Sequence, residues 1–179
     1  LTAGAILYYL SETQHHQLQH ITTLQRIAED AYVWLDRFTI RNLELYAGSS
    51  AQSVTLIDVI DKTLSPMGSR TLKRWLALPL KKIEKIEQRH EVVAYLLSHT
   101  LSLIKENISR MGDIERLISK VATLKINPRE VVQLCASLEH IAPIKQQCLQ
   151  SGKESLSLLG DKLHDCQQLC TRIRQTLTD

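Results

Sequence analysis

The sequence predicts an all-α fold: a multi-helix bundle with long lever helices and at most one short strand, at residues 32–35. Three observations carry this expectation. Leu, Ile, Gln, Glu, Lys and Arg, mostly good helix formers, dominate a chain that holds only 6 Gly and 4 Pro. The aromatic share of 4% is low for a β-sandwich or barrel. Apolar residues recur at three- and four-residue spacing along most of the 179 residues. With 44% apolar and 23% charged residues, the composition is that of a folded unit rather than a disordered one. The length suits one domain, or one domain with an extended arm.

Taken in order, residues 1–16 read as a helix with Thr2 as N-cap and Ala3, Ile6, Leu7 and Leu10 on one face. Leu18, Ile21, Leu24 and Ile27 continue the apolar pattern less regularly. Tyr32, Val33, Trp34 and Leu35 form the strand candidate. Asp36 is placed to cap a short helix reaching Leu43. Gly48, Ser49 and Ser50 are a loop, and residues 53–61 a short helix.

Ser65-Pro66 is a strong helix start, with a hydroxyl at the N-cap and a proline where its missing N–H costs nothing. Pro79 ends that helix near Leu78. The next helix, over residues 83–99, turns Ile83, Ile86, Val93, Leu96 and Leu97 inward; a shorter one over 101–111 ends at Gly112. Asp113 caps a helix to Lys125 with Ile114, Leu117, Ile118, Val121 and Leu124 in a 3.6-residue stripe.

Asn127, Pro128 and Glu130 start another helix with a cap close to a capping box, carrying Val131, Leu134, Leu138 and Ile141 before Pro143 breaks it. Residues 153–177 read as one more helix, with Leu156, Leu159, Leu163, Cys166, Leu169, Ile173 and Leu177 in register and Gly160 marking a join.

The net charge of +3 permits contact with nucleic acid without arguing for it. Cys135, Cys148, Cys166 and Cys170 lie on helical patterns outside any small secreted framework, which suits reduced thiols and a cytoplasmic protein. No run is long enough to span a membrane. The chain opens at Leu1 in mid-pattern, so a fragment of a longer protein is expected.

Candidate chemistry is sparse. Arg70 and Arg74 share a helix face within a basic stretch that also holds Lys62, Lys73, Lys81, Lys82, Lys85 and Arg89. That face could meet phosphate or another domain, or be a solvated helix surface; no aromatics interleave with the charges as stacking platforms would. His15, His16 and His20 are not spaced to aim at one ion, and His164 points away from the stripe that carries Cys166 and Cys170, so no metal site is expected. No nucleophile elbow and no phosphate loop occurs, so catalytic and cofactor-binding residues are expected to be none. Asp113 is expected to cap, Glu115 to favour the positive end of its helix, and Arg116 to reach a carboxylate on a neighbouring helix. Arg41, Asn42 and Glu44, set between apolar Leu43 and Leu45, suggest a hydrogen-bonded clamp between chain segments.

Four phrases of the sequence resemble the core (lever) domain of MutS-type DNA mismatch-repair ATPases. Asp36 and Thr39 followed by Asn42-Leu43-Glu44-Leu45 resemble the phrase that opens that domain. Thr63, Met67-Gly68, Arg70, Leu72, Trp75-Leu76 and Pro79-Leu80 resemble its T-x-x-x-M-G-x-R-x-L-x-x-W-L-x-x-P-L phrase. Asp113, Glu115-Arg116 and Lys120 resemble its D-x-E-R-x-x-x-[KR] phrase, and Pro128-Arg129-Glu130 its P-R-[DE] phrase.

The resemblance implies a single core/lever domain over residues 1–179, with residues 1–16 the helix entering from a connector and 153–179 the start of a lever toward a clamp. It implies a non-catalytic relay between an ATPase and the clamp that grips DNA, with ATP and magnesium bound elsewhere in the parent and a homodimeric assembly. Asp36, Thr39, Arg41, Asn42, Glu44, Arg70, Arg74, Trp75, Asp113, Glu115, Arg116 and Arg129 are then structural or relay residues. A protein-binding helical scaffold, and a relative acting in recombination, are the alternatives. Cut before its partner helix, the stripe of Leu163, Cys166, Leu169 and Ile173 is expected to be bare and to drive self-association.

Overall fold

The computed structural model describes residues 2–13, 23, 29–48, 50, 52–99 and 101–177. Among these are eleven α-helices and no named strand, so the all-α expectation holds. They are α1 (Thr2–Glu12), α2 (Arg37–Asn42), α3 (Leu56–Ile60), α4 (Pro66–Ala77), α5 (Ile83–Ser98), α6 (Ser102–Arg110), α7 (Ile114–Ala122), α8 (Pro128–Glu139), α9 (Ile141–Leu149), α10 (Glu154–Asp161) and α11 (Gln167–Thr176). A single 3₁₀ turn, Glu29–Ala31, precedes α2. The longest helix, α5, has 16 residues, about 24 Å at 1.5 Å per residue.

The helix starts follow from their caps. The Asp36 carboxylate accepts from Thr39 N at 2.6 Å. The Ser65 hydroxyl accepts from Gly68 N with Pro66 at the first helical position. Asp113 accepts from Arg116 N, and Asn127 exchanges bonds with Glu130 in a full capping box. A second box, Thr55 with Asp58, starts α3, so that helix begins at Leu56 rather than at residue 53. Thr2 lies inside α1 rather than at its cap.

The core sits in the C-terminal half. Leu117 of α7, Leu134, Cys135 and Leu138 of α8, and Cys170 of α11 form its buried cluster, with Ile114, Ile141, Cys166 and Ile173 packed against it. The broadest helix pairings are α9 with α10 and α8 with α11, followed by α6 with α9 and α7 with α8. Gly160 serves the first of these. A Cβ there would come within 3.0 Å of the Cys148 Cβ and 3.2 Å of Leu149, so its bare backbone lets α10 lie close on α9.

Several expectations are corrected. Tyr32–Leu35 is no strand: Tyr32 makes one isolated antiparallel bridge to Leu80, supported by Val33 N to Pro79 O at 2.8 Å. The helix expected over residues 153–177 is two, with Cys166 in the left-handed region (φ 51°) between them. The break ahead of Pro143 falls at His140, which leaves the proline in the first turn of α9. Ile118, Val121 and Leu124 of the α7 stripe, and Ile83, Val93 and Leu97 of α5, are exposed. The C-terminal stripe is not bare. Cys170 is buried against α8 with Cys166 and Ile173 beside it, and Leu169 stays half in solvent, so self-association loses the face it was argued from. The pattern at residues 14–22 and 24–28 lies outside the described residues.

Candidate functional site

The residues singled out from sequence gather at the joints between chain segments. The first joint is local. Helix α2 ends with Glu44 in the left-handed region (φ 46°), where Glu44 N donates to Arg41 O and Leu45 N reaches back to Ile40 O. That turn aims two carbonyls at the start of α3: Leu56 N donates to Glu44 O at 3.0 Å and Ile57 N to Leu45 O at 3.1 Å. The bonds that join these two segments run between backbone groups. Arg41 and Asn42 are exposed and have no side-chain partner among the described residues, and Leu43 is exposed where burial was expected. Leu45 is buried.

The second joint surrounds the start of α4. Asp61 accepts from the Ser69 hydroxyl at 2.5 Å, from the Thr63 hydroxyl at 2.6 Å and from Thr63 N at 3.1 Å. These bonds, led by that from Ser69, hold its carboxyl below the usual range. Gly68 is needed here, since a Cβ would lie 3.2 Å from the Ser65 Oγ and 3.3 Å from the Thr63 Cβ. The Tyr46 hydroxyl donates to Lys73 O at 2.5 Å and ties this joint to the segment after α2.

The third joint is the longest in sequence. The Arg70 guanidinium closes on two carboxylates at the start of α7. Nη1 and Nη2 donate to Asp113 Oδ2 and Oδ1 at 2.9 and 2.7 Å, and Nε donates to Glu115 Oε2 at 2.8 Å. Such a fork is the strong geometry for an arginine–carboxylate pair. It raises Arg70 and holds Asp113 below the ordinary carboxylate range. Asp113 does this while capping α7 through Arg116 N. Arg116 adds its positive charge to both Asp113 and Glu130, and Lys120 pairs with Glu130 to tie α7 to the first turn of α8.

Arg74 and Arg129 are exposed without side-chain partners among the described residues, whereas Arg70 is held by Asp113 and Glu115. Trp75 lies under Arg89, whose guanidinium carbon is 3.7 Å from the ring centroid. Sequence reasoning missed this pair, Asp61, the Glu139–Arg174 fork at 3.1–3.2 Å and the bond from Gly112 N to Ser137 Oγ. Each joins residues whose partners lie on other segments, where spacing along one helix gives no signal. Among the described residues no three His, Cys, Asp or Glu side chains converge as metal ligands do, and no helix is long and apolar enough to cross a membrane.

A family model described as MutS domain III matches residues 38–179. The chain is 60% identical over 179 residues to the DNA mismatch repair protein MutS of Flavobacterium johnsoniae, and 58% identical over 179 residues to that of Flavobacterium psychrophilum. It is 46% identical over 181 residues to that of Bacteroides fragilis. These matches cover 99–100% of this chain and 21% of each relative.

Proposed function

The chain belongs to the MutS family, as a segment of its domain III, and from that premise we propose that it is the non-catalytic core of a mismatch-recognition ATPase acting in DNA mismatch repair. It couples the nucleotide state of an ATPase to a clamp on DNA. Residues 1–16 enter it from a connector, and residues 153–179 begin the lever toward the clamp. ATP and magnesium bind elsewhere in the parent, which acts as a cytoplasmic homodimer on mismatched DNA. The chain spans only 21% of its relatives, so the partners of this domain are other domains of the same protein.

The observation that carries the reading is where the phrases land. They build ties between segments far apart in the chain, Arg70 to Asp113 and Glu115 above all, and they do not converge on a cleft. A relay needs packed helices joined by discrete contacts rather than reactive groups.

Two measurements test it. The isolated chain is expected to turn over no ATP and to bind DNA weakly, with strong salt dependence and no preference for a mismatch. In the full-length protein, Trp75→Ala is expected to leave mismatch binding and basal ATP turnover in place while slowing ATP-driven release from the mismatch by about fivefold or more. ATP hydrolysis by this chain alone, or release at the unmodified rate, would overturn the proposal. So would a parent reading frame that lacks both an upstream F-x-E reader motif and a downstream Walker A motif.

A further inference from the structure

Helix α4 is held unlike its successors. Among the described residues, and of the helices from α4 onward, it alone shares no extensive face with another helix, and none of its 12 residues is buried. Its apolar side, with Met67, Leu72 and Trp75, lines an open groove of 360 Å³. Polar ties fix it along its length: the Ser69 hydroxyl donates to Asp61 and Lys73 O accepts from the Tyr46 hydroxyl, both on the segments before α4. The C-terminal end is pinned by Trp75 beneath Arg89 and by the Tyr32–Leu80 bridge just beyond it. Toward the N-terminal end, Arg70 is the polar tie to the C-terminal bundle, through Asp113 and Glu115.

We propose that Arg70 is a releasable latch. With its fork closed, α4 is seated on the start of α7; with the fork open, the first turns of α4 leave α7 and fray, while the Trp75–Arg89 contact and the Leu80 bridge hold its C-terminal end. Both states are viable because the acceptors do not depend on Arg70. Asp113 keeps capping α7 through Arg116 N, and Glu115 sits in the first turn, where the helix end favours a negative charge. The Arg70 side chain is 47% exposed and Glu115 64%, against 20% for Asp113, so water and ions reach the guanidinium and Glu115 without opening the core. The latch belongs to this chain alone and stands whether or not the relay reading holds.

Amide hydrogen exchange on the 179-residue chain tests it. In Arg70→Gln, the amides of α4 are expected to exchange about three- to fivefold faster, the range open to a solvent-exposed ion pair. The amides around Leu134 and Leu138 in α8 keep their rates. Salt of about 1 M brings the unmodified chain to the rate of the variant and leaves the variant unchanged. Arg70→Lys, which keeps the charge without the fork, is expected to exchange at a rate between those of the unmodified chain and Arg70→Gln. The latch is overturned by α4 rates that do not move, by α8 rates that rise by the same factor, or by Arg70→Lys rates no slower than those of Arg70→Gln.

Discussion

Asp113 serves two networks at once, and that fixes how its protonation reports on folding. Its carboxylate accepts from both terminal nitrogens of Arg70 and from Arg116 N, and the Arg70 bonds come first among the causes that lower its pKa. Glu139 is lowered in the same way, chiefly by Arg174. Unfolded carboxylates titrate near about 3.9 for Asp and 4.3 for Glu. A group depressed by folding contributes stability that is complete above the unfolded value and lost as pH falls through the folded one. Thermal unfolding followed by circular dichroism at low salt should therefore give a flat Tm from about pH 5.5 to 7 and a decline below about pH 4. Arg70→Gln should make that decline shallower, and a Tm that climbs on acidification would contradict the assignment. The thiols give a second residue-scale prediction. Burial, with the Cys170 thiol and Glu139 adding to it, pushes Cys135 up to about 12, and burial also raises Cys148. Because the thiolate is the nucleophile, a disulfide reagent at about pH 8 should modify half-buried Cys166 first and Cys135 only on unfolding. Rapid labelling of native Cys135 would show that α11 leaves α8 readily. The caps at Asp36 and Asp113 were legible in the sequence because their partners are three residues away. The destination of Arg70 was not, because Asp113 is 43 residues on.

At the scale of elements, two helices end on a device whose usual sequence mark is missing. Leu124 N donates to Val121 O and Lys125 N to Lys120 O, with Leu124 at φ 56°. This is the Schellman pattern, whose left-handed position usually holds Gly. Glu44 closes α2 in the same way. Neither Leu nor Glu announces such a turn, so the sequence carries α7 through to Lys125 and leaves Leu124 in its stripe. Leu124 is 81% exposed, so little packing offsets its backbone strain. Leu124→Gly should stabilise the chain by about 1 kcal/mol, seen as a raised urea midpoint with an unchanged slope; a lowered midpoint would mean that Leu124 packs in solution. The starts of α4 and α8 were legible for the opposite reason, since Ser65-Pro66 and Asn127-Pro128 place a cap and a proline where only a helix start uses both. The break between α10 and α11 has no Gly or Pro at residues 162–166 to mark it, and the apolar register runs straight through. Its consequence is that burial shifts from Leu159 and Leu169, 47% and 48% exposed, to Leu156 and Cys170. Leu134→Ala should then cost about 2–4 kcal/mol, while Leu169→Ala should stay within about 0.5 kcal/mol. Equal losses in the two variants would restore the single continuous helix.

For the whole molecule, the distribution of apolar burial divides the chain into parts held by different forces. The buried cluster joins α7, α8 and α11, whereas among the described residues the segments around α2, α3 and α4 bury the apolar Leu45 and Ile57 and are tied besides by hydrogen bonds, the Arg70 fork and the Arg89–Trp75 contact. Residues beyond those ties remain in solvent, with Trp34 67% and Phe38 72% exposed, as suits a segment one fifth the length of its relatives. Burying apolar side chains contributes about 1.5–3 kcal/mol each, and exposed ion pairs roughly 0–1 kcal/mol. The part held by polar contacts should therefore open first. Both tryptophans of the chain, Trp34 and Trp75, lie in that part, and Trp34→Tyr removes an exposed ring to leave Trp75 as the single reporter. In this variant, urea unfolding followed by tryptophan emission reports the seat of α4 against Arg89, while far-UV circular dichroism follows chiefly the helices of the C-terminal bundle. The emission midpoint is expected below the dichroism midpoint by roughly 0.5–1 M, because subglobal units of unequal stability unfold in order. Coincident midpoints would mean one cooperative unit, and the polar ties would then be as strong as the core they connect to.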